Sequence, residues 1–407
     1  MNEELIKQLD ALLPNTLMWL KRLVDLNSFT SNAIGVNRVA EVTAEMFAEL
    51  GFSAELVASD HASYGKHLFL TRKGSGNGKP VVLVTHSDTV FPSEEEARND
   101  FHWLESPGES RIYGPGTVDN KGGTALIWLM LHGMRTIAPD VFEKTSWLVA
   151  SNASEEVVAS DFGRLTKERC RDGARAVLVF EGGPRAENEF QIVTARKGRA
   201  EFRIVAHGRA AHAGSSHADG VNAIVALSEC VAPVAAISDY ARDLTVNVAT
   251  IQGGTVLNRV PHEAEFALEV RAFDPAMLAH AEAEIRRILS GSTGAAALSL
   301  ECLGRTVAWP AAEGTMGLFD HWEEAARELG LRALPIKRGG LSDANYLADL
   351  GPTLDGLGPT GANAHCSERS AEEGKVPEFV EPDSFVPKAA MNTIALLRLL
   401  PPGSAGQ

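Results

Sequence analysis

The chain has 407 residues, 44% hydrophobic and 22% charged, with a formal net charge of −15. That length predicts two domains of an ordinary globular protein, and the acidic balance disfavours nucleic acid and anionic membrane as partners, although local arginines can still bind an anionic substrate. Cys170, Cys230, Cys302 and Cys366 show no CxxC spacing and read as reduced thiols; with neither a basic-then-apolar leader nor an apolar run of about 18 residues, the expected location is the cytoplasm.

Leu5, Leu9, Leu12, Leu13, Leu17, Leu20, Leu23 and Val24 share one face of a helix predicted over 3–26. A second helix over 36–50 stops at Gly51. Strands are predicted at 53–58 and 67–72, a Gly/Asn turn at 73–78 and a buried strand at 81–85. A helix over 122–134, a buried strand over 145–150, a helix over 162–171 and a strand over 175–180 complete an alternation of strand and helix. That alternation predicts an α/β fold with a mixed, mostly parallel sheet and helices on both faces. Near Lys197 the pattern changes to strand 198–207, helix 219–238 capped by Asp219, strands 244–252 and 263–273, helix 275–290 and strand 296–303. This βαββαβ order predicts a ferredoxin-like domain inserted over 197–308, between catalytic parts 1–196 and 309–407. The second catalytic part is expected to hold helix 315–330, strand 332–336, helices 343–350 and 384–400, and a frayed tail over 401–407.

Ser151-Asn-Ala-Ser-Glu155-Glu156 is the stretch around which the chemistry gathers. Two adjacent carboxylates past the end of a buried strand are costly without a cation, and ligands of open α/β sheets bind at the carboxyl ends of strands. Two other strand-like runs end alike, one at His86-Ser-Asp88 and one at Glu181, while Asp119 sits in the Gly-rich turn 114–123. Period-two geometry puts His86 and Asp88 on one side, so the imidazole can bind metal while Asp88 holds its other ring nitrogen. Asp119 offers two oxygens to two ions, although a turn Asp often makes only a local Asx bond. Glu155 and Glu156 point apart, one toward a metal and the other, Glu155, as base; a solvated helix start has the same local look. His365, in a glycine-rich loop, reads alone as an ordinary loop histidine. Together these residues suit two divalent ions, Zn²⁺ first, with Mn²⁺ or Co²⁺ compatible.

Thr85-His-Ser-Asp-Thr-Val90, Asp119-Asn-Lys-Gly-Gly123, Ser154-Glu-Glu156, Glu181, Arg209-Ala-Ala-His212-Ala-Gly214, Asn258, Gly339-Gly-Leu-Ser-Asp-Ala344 and His365 follow one another in an order that resembles the co-catalytic metallopeptidase family of glutamate carboxypeptidase, aminoacylase, acetylornithine deacetylase and succinyl-diaminopimelate desuccinylase. The resemblance implies that His86, Asp119 and Glu181 hold one ion, and Asp119, Glu156 and His365 the other. It makes Glu155 the general base and proton donor, His212 an oxyanion or carboxylate contact, and the Asp119–Asn120 bond cis. Asn258, Arg305, Gly340 and Ser342 resemble binders of a substrate carboxylate. The implied reaction is metal-dependent hydrolysis of an amide in an N-acyl amino acid or small peptide with a free carboxylate, by a homodimer formed through the inserted domain. A non-peptide C–N bond (aryl amine or N-carbamoyl) is the alternative, and a non-catalytic metal-dependent binding protein the remote one. Leu341 and the long segments 92–108 and 366–379 depart from the family's pattern near the ligand loops.

Overall fold

The computed structural model describes residues 1–400 except 158, 159, 187 and 293; the tail over 401–407 lies outside the described residues. The chain divides into two units, one of Met1–Thr194, Ala311–Ile336 and Ser342–Gln407, the other of Ala195–Pro310 with Lys337–Leu341.

The first unit is built on a six-stranded sheet. Its order is Ser53–Ala58, Lys66–Arg72, Trp147–Asn152, Val81–His86, Ala176–Val179 and Thr353–Leu354. The first two strand pairs are antiparallel and the other three parallel. Val81–His86 and Trp147–Asn152 are buried at every position, as expected of apolar, β-rich runs covered on both faces. Val81 pairs with both Trp147 and Ala176, so the three central strands start in line and run parallel toward one edge. The helix Lys121–Ile137 is buried from Lys121 to Met134 and packs against Val81–His86, Asn2–Val24 and Phe385–Leu399. Gly133 permits that closeness, since a Cβ there would lie 2.7 Å from the Leu9 side chain.

The second unit holds Gly198–His207, Ala223–Ala235, Thr245–Gly253, Glu263–Ala272, Pro275–Ser290 and Ala297–Thr306 in βαββαβ order. Its antiparallel sheet runs Thr245–Gly253, Glu263–Ala272, Gly198–His207, Ala297–Thr306, the ferredoxin-like arrangement. Phe202, Ile204, Phe266, Leu268, Leu227 and Ile285 form its core. Lys337–Leu341, expected in the second catalytic part, groups with this unit.

Some expected elements shift. The helix predicted to begin at Asp219 begins at Ala223, because Gly220 is extended and the Asn222 side chain caps Ile224 and Val225. The helix predicted over 343–350 is one turn, Ala344–Leu347. The strand predicted over 145–150 runs Trp147–Asn152, because Thr145 closes the short helix Pro139–Lys144. Glu189–Arg196 is a strand that the sequence did not announce, paired in a small sheet with Arg185–Ala186 and Arg332–Arg338. Another small sheet joins Leu104–Ser106 and Arg111–Tyr113 to Phe379–Val380 and Gly361–Ala362. It ties together the two long segments, 92–108 and 366–379, and Asn99 donates to the Ser367 hydroxyl across them at 2.7 Å. Among the described residues no helix is long and apolar enough to cross a membrane.

Candidate metal centre

The common carboxyl ends of the central strands bring His86, the Ser151–Glu156 turn and Glu181 to one edge of the sheet. Asp119 reaches the same place from its glycine-rich turn, with the Asp119–Asn120 bond cis. His86 Nε2 lies 2.9 Å from Asp119 Oδ1 and 3.6 Å from Glu181 Oε1. On the other side, His365 Nε2 lies 3.4 Å from Asp119 Oδ2 and 3.1 Å from Glu156 Oε2. Each set, His86–Asp119–Glu181 and Asp119–Glu156–His365, has its ligand atoms within 4.8 Å of one another. Asp119 thus presents one oxygen to each set.

Asp88 sits behind both. The nearest contact of His86 Nδ1 is the Asp88 backbone oxygen at 3.0 Å, with the carboxylate at 3.4 Å. The Asp88 carboxylate mainly serves the acidic turn, accepting from the backbone N–H groups of Glu155 at 3.1 Å and Glu156 at 3.3 Å, and from the Thr30 hydroxyl at 2.7 Å. Its work is therefore broader than the ring-nitrogen role read from the HxD spacing.

The electrostatics describe a cluster short of positive charge. Burial opposes charge on His86, but its hydrogen bonds to Asp119 and Asp88 outweigh it and raise the imidazole well above its ordinary value. His365 is pushed up to about 10 by Asp119 and Glu156. Burial would raise Asp119, yet His365 and His86 hold it well below the carboxylate range. Glu155 is raised well above its usual value by burial and then by Glu181, Asp343 and Glu156, against the pull of His86. Burial likewise raises Glu156, opposed by His365. Five carboxylates (Asp88, Asp119, Glu155, Glu156, Glu181) gather about two imidazoles, an N/O donor set with more negative charge than two protonated histidines balance. Two divalent cations fit this deficit and this chemistry.

Several supporting residues were not singled out by the sequence. Asn120 donates to Glu181 Oε1 at 2.9 Å, fixing a carboxylate of the first set. Glu378, wholly buried, accepts from the N–H groups of Val118 at 2.9 Å and Asp119 at 3.1 Å. Burial and the Asp119 charge push Glu378 to about 8 against those bonds. Asn152 donates to Asp343 at 2.8 Å and accepts from Ser154 N–H at 3.0 Å; burial raises Asp343 to about 7 although His86 and Asn152 oppose it. Asn120, Asn152 and Asp343 lie inside stretches that the sequence marks and Glu378 in the long segment 366–379, but none was assigned this supporting part.

His67, one of the histidines without a motif, is fully buried with Nε2 3.1 Å from Asp161 Oδ2. Burial raises the Asp161 carboxyl, but the Asp60 N–H, His67 and Ser59 together hold it below its ordinary value. A depressed acid contributes stability above its unfolded value of about 3.9, and that contribution disappears as pH falls through the lower folded value. Asp161→Asn is therefore expected to flatten the acid side of the stability curve, in urea unfolding followed from pH 7 to below about pH 4; an unchanged slope there would count against the pair.

Of the remaining expected site residues, Ser342 belongs to the first unit and His212, Asn258, Arg305 and Gly340 to the second. Ser342, in the first, donates its hydroxyl to Asp355 at 2.8 Å and accepts from Ala344 N–H at 3.2 Å, so it shapes its loop. In the second unit, His212 Nδ1 accepts from Gly214 and Ser215 N–H at 3.1 Å each. Its proton then sits on Nε2, a donor. The Asn258 backbone oxygen accepts from Ala213 N–H at 2.9 Å, placing Asn258 beside the His212 loop. The Gly340 carbonyl accepts from Arg196 at 3.0 Å. Arg305, expected to face a substrate carboxylate, is engaged by Glu282 and lies over the Phe202 ring.

Residues 194–295 match the peptidase dimerisation domain of the M20 type. The chain is 29% identical over 363 residues to carboxypeptidase G2 of Pseudomonas sp. strain RS-16, covering 86% of this chain and 83% of that protein. Its fold is similar to that of aminopeptidase PepT from Bacillus cereus ATCC 10987, with a TM-score of 0.75, 20% identity and coverage of 95% of this chain and 98% of the other. It is also similar to Bacillus subtilis YXEP, a dinuclear metal-binding peptidase of the M20 family, with a TM-score of 0.67, 14% identity and coverage of 96% and 99%.

Proposed function

We propose that this chain, a relative of the M20 metallopeptidases, hydrolyses the amide bond of an N-acyl amino acid or small peptide that carries a free carboxylate. The observation that carries the reading is the division of Asp119 between two His–carboxylate sets, with Glu155 close enough to feel His86, Glu181 and Glu156. His86, Asp119 and Glu181 would hold one divalent ion, and Asp119, Glu156 and His365 the other, Zn²⁺ being the ion this donor set suits first. Such ions, when bound, supply the positive charge that acidifies a water and polarises the acyl oxygen.

The chain's own residues do the rest. Glu155 accepts a proton from the water as the water's oxygen bonds to the acyl carbon. It returns that proton to the nitrogen as the C–N bond breaks, leaving a carboxylic acid and an amine. Asp88 keeps Glu155 and Glu156 in place through their N–H groups. His212, with its Nε2 as donor, is the proposed oxyanion contact. Asn258, Arg305 and the loop of Gly340 and Ser342 are the proposed surroundings of the substrate carboxylate. The dimerisation-domain match supports a homodimer through the second unit.

Because Glu282 already pairs with Arg305, hydrolysis of an aryl amine or N-carbamoyl C–N bond is the second reading. A panel of N-acetyl amino acids, dipeptides and aminobenzoates, assayed with zinc-loaded protein and a chelator control, separates the two. Chelator-sensitive release of an amino acid, with KM raised by Arg305→Ala, supports the first. Ammonia release, with Arg305→Ala unchanged, supports the second. An activity indifferent to chelator would sink both.

A further inference from the structure

We infer that His67 is a positioning residue that holds the Glu155–Glu156 turn from behind. The turn hangs on side chains. Ser154 N–H donates to Asn152 Oδ1 at 3.0 Å, and Glu155 and Glu156 donate to the two oxygens of Asp88 at 3.1 and 3.3 Å. The first N–H of the turn, on Ala153, donates to His67 Nδ1 at 3.1 Å. His67 lies on Lys66–Arg72, the strand paired with Trp147–Asn152, where Leu68 faces Ser151. Its ring is fully buried and packs on Phe162 at 5.5 Å between centroids.

An imidazole nitrogen that accepts an N–H carries no proton, so His67 needs its proton on Nε2. Asp161 selects that tautomer, with Oδ2 3.1 Å from Nε2, and is itself held by the Ser59 hydroxyl at 2.9 Å and the Asp60 N–H at 2.8 Å. A chain of hydrogen bonds thus runs from the 59–60 segment through Asp161 and His67 to the start of the turn that carries Glu155 and Glu156. Partners in this outer position orient ligands and bases and are worth about 10–100-fold in metal affinity or activity. The inference rests on the proposed roles of Glu155 and Glu156.

The test compares His67→Asn with His67→Gln. Asparagine places an amide oxygen near the position of Nδ1 and keeps an acceptor for Ala153. Glutamine reaches toward Asp161 and leaves Ala153 N–H without one. Zinc affinity is read by competition with a fluorescent chelator, and turnover on the best substrate of the panel above. His67→Gln is expected to weaken the second zinc site and lower kcat, each by about 10–100-fold, with KM unchanged; His67→Asn should restore both. Wild-type zinc affinity and kcat in His67→Gln, or an equal fall in both variants, overturns the inference. Should neither variant fold, Asp161→Asn leaves the ring in place and must show the same two losses in smaller measure; wild-type values there overturn it too. The zinc readout reports through Glu156 and needs no substrate. Failure of Glu155 as proton carrier would therefore show separately, as normal turnover in Glu155→Gln with zinc affinity still lowered in His67→Gln.

Discussion

Glu155→Gln is expected to lower kcat by about 10²–10⁴-fold while both zinc ions remain bound, the range over which a positioned proton-transfer group acts. The substitution keeps the side chain's size and leaves the Glu155 N–H on Asp88, so the turn stays in place. It removes the proton acceptor. Glu155 is absent from both ligand sets, whereas its neighbour Glu156 approaches His365 at 3.1 Å. The two adjacent carboxylates should therefore separate in a paired experiment: Glu155→Gln loses turnover with zinc content unchanged, and Glu156→Gln loses zinc. Wild-type kcat in fully loaded Glu155→Gln would remove this residue from the chemistry.

Asp119→Ala should be more severe, because one side chain serves both sets. Zinc content is expected to fall toward none, and turnover by more than the about 10–100-fold that follows loss of an outer partner. Glu181→Gln, by contrast, touches one set and should leave one ion tightly held. Metal analysis after dialysis against a weak chelator checks the difference; an equal loss of one ion in both variants would mean that Asp119 is not shared. The metal-free protein offers a second readout. His86 is raised well above its ordinary value, burial opposing and its bonds to Asp119 and Asp88 prevailing. That pairing contributes fully below the unfolded imidazole value of about 6.5 and is lost as pH rises through the folded value. Asp119→Ala should weaken this pH dependence in urea unfolding of the apo protein.

Much of the centre was legible because apolar runs mark where strands end. Val81–His86, Trp147–Asn152 and Ala176–Val179 are buried throughout, and an ionisable residue just past such a run has no solvent face to explain it. His86, Glu155, Glu156 and Glu181 stand out for that reason. Asp119 stands out by its glycines, and His365 only by the order of motifs around it. The βαββαβ pattern was equally plain, since alternation along Gly198–His207 and Glu263–Ala272 survives as alternating burial.

Local periodicity in the chain was enough for the fold class, and residue chemistry for the clustering of acidic residues past the strand ends, whereas His365 and the two proposed ligand sets came from the order of the motifs. Which partner each side chain takes was settled by the packing of distant segments. Glu378 reaches Val118 and Asp119 from 260 and 259 positions away, Asp343 meets Asn152, and Glu282 claims Arg305. The Asp88 carboxylate bonds the Glu155–Glu156 turn more than the histidine beside it, and His67 takes the N–H of Ala153. Such pairings leave no period in the chain. They arise because a buried donor or acceptor must find a partner once folding removes water, and the nearest partner is set by how distant segments pack.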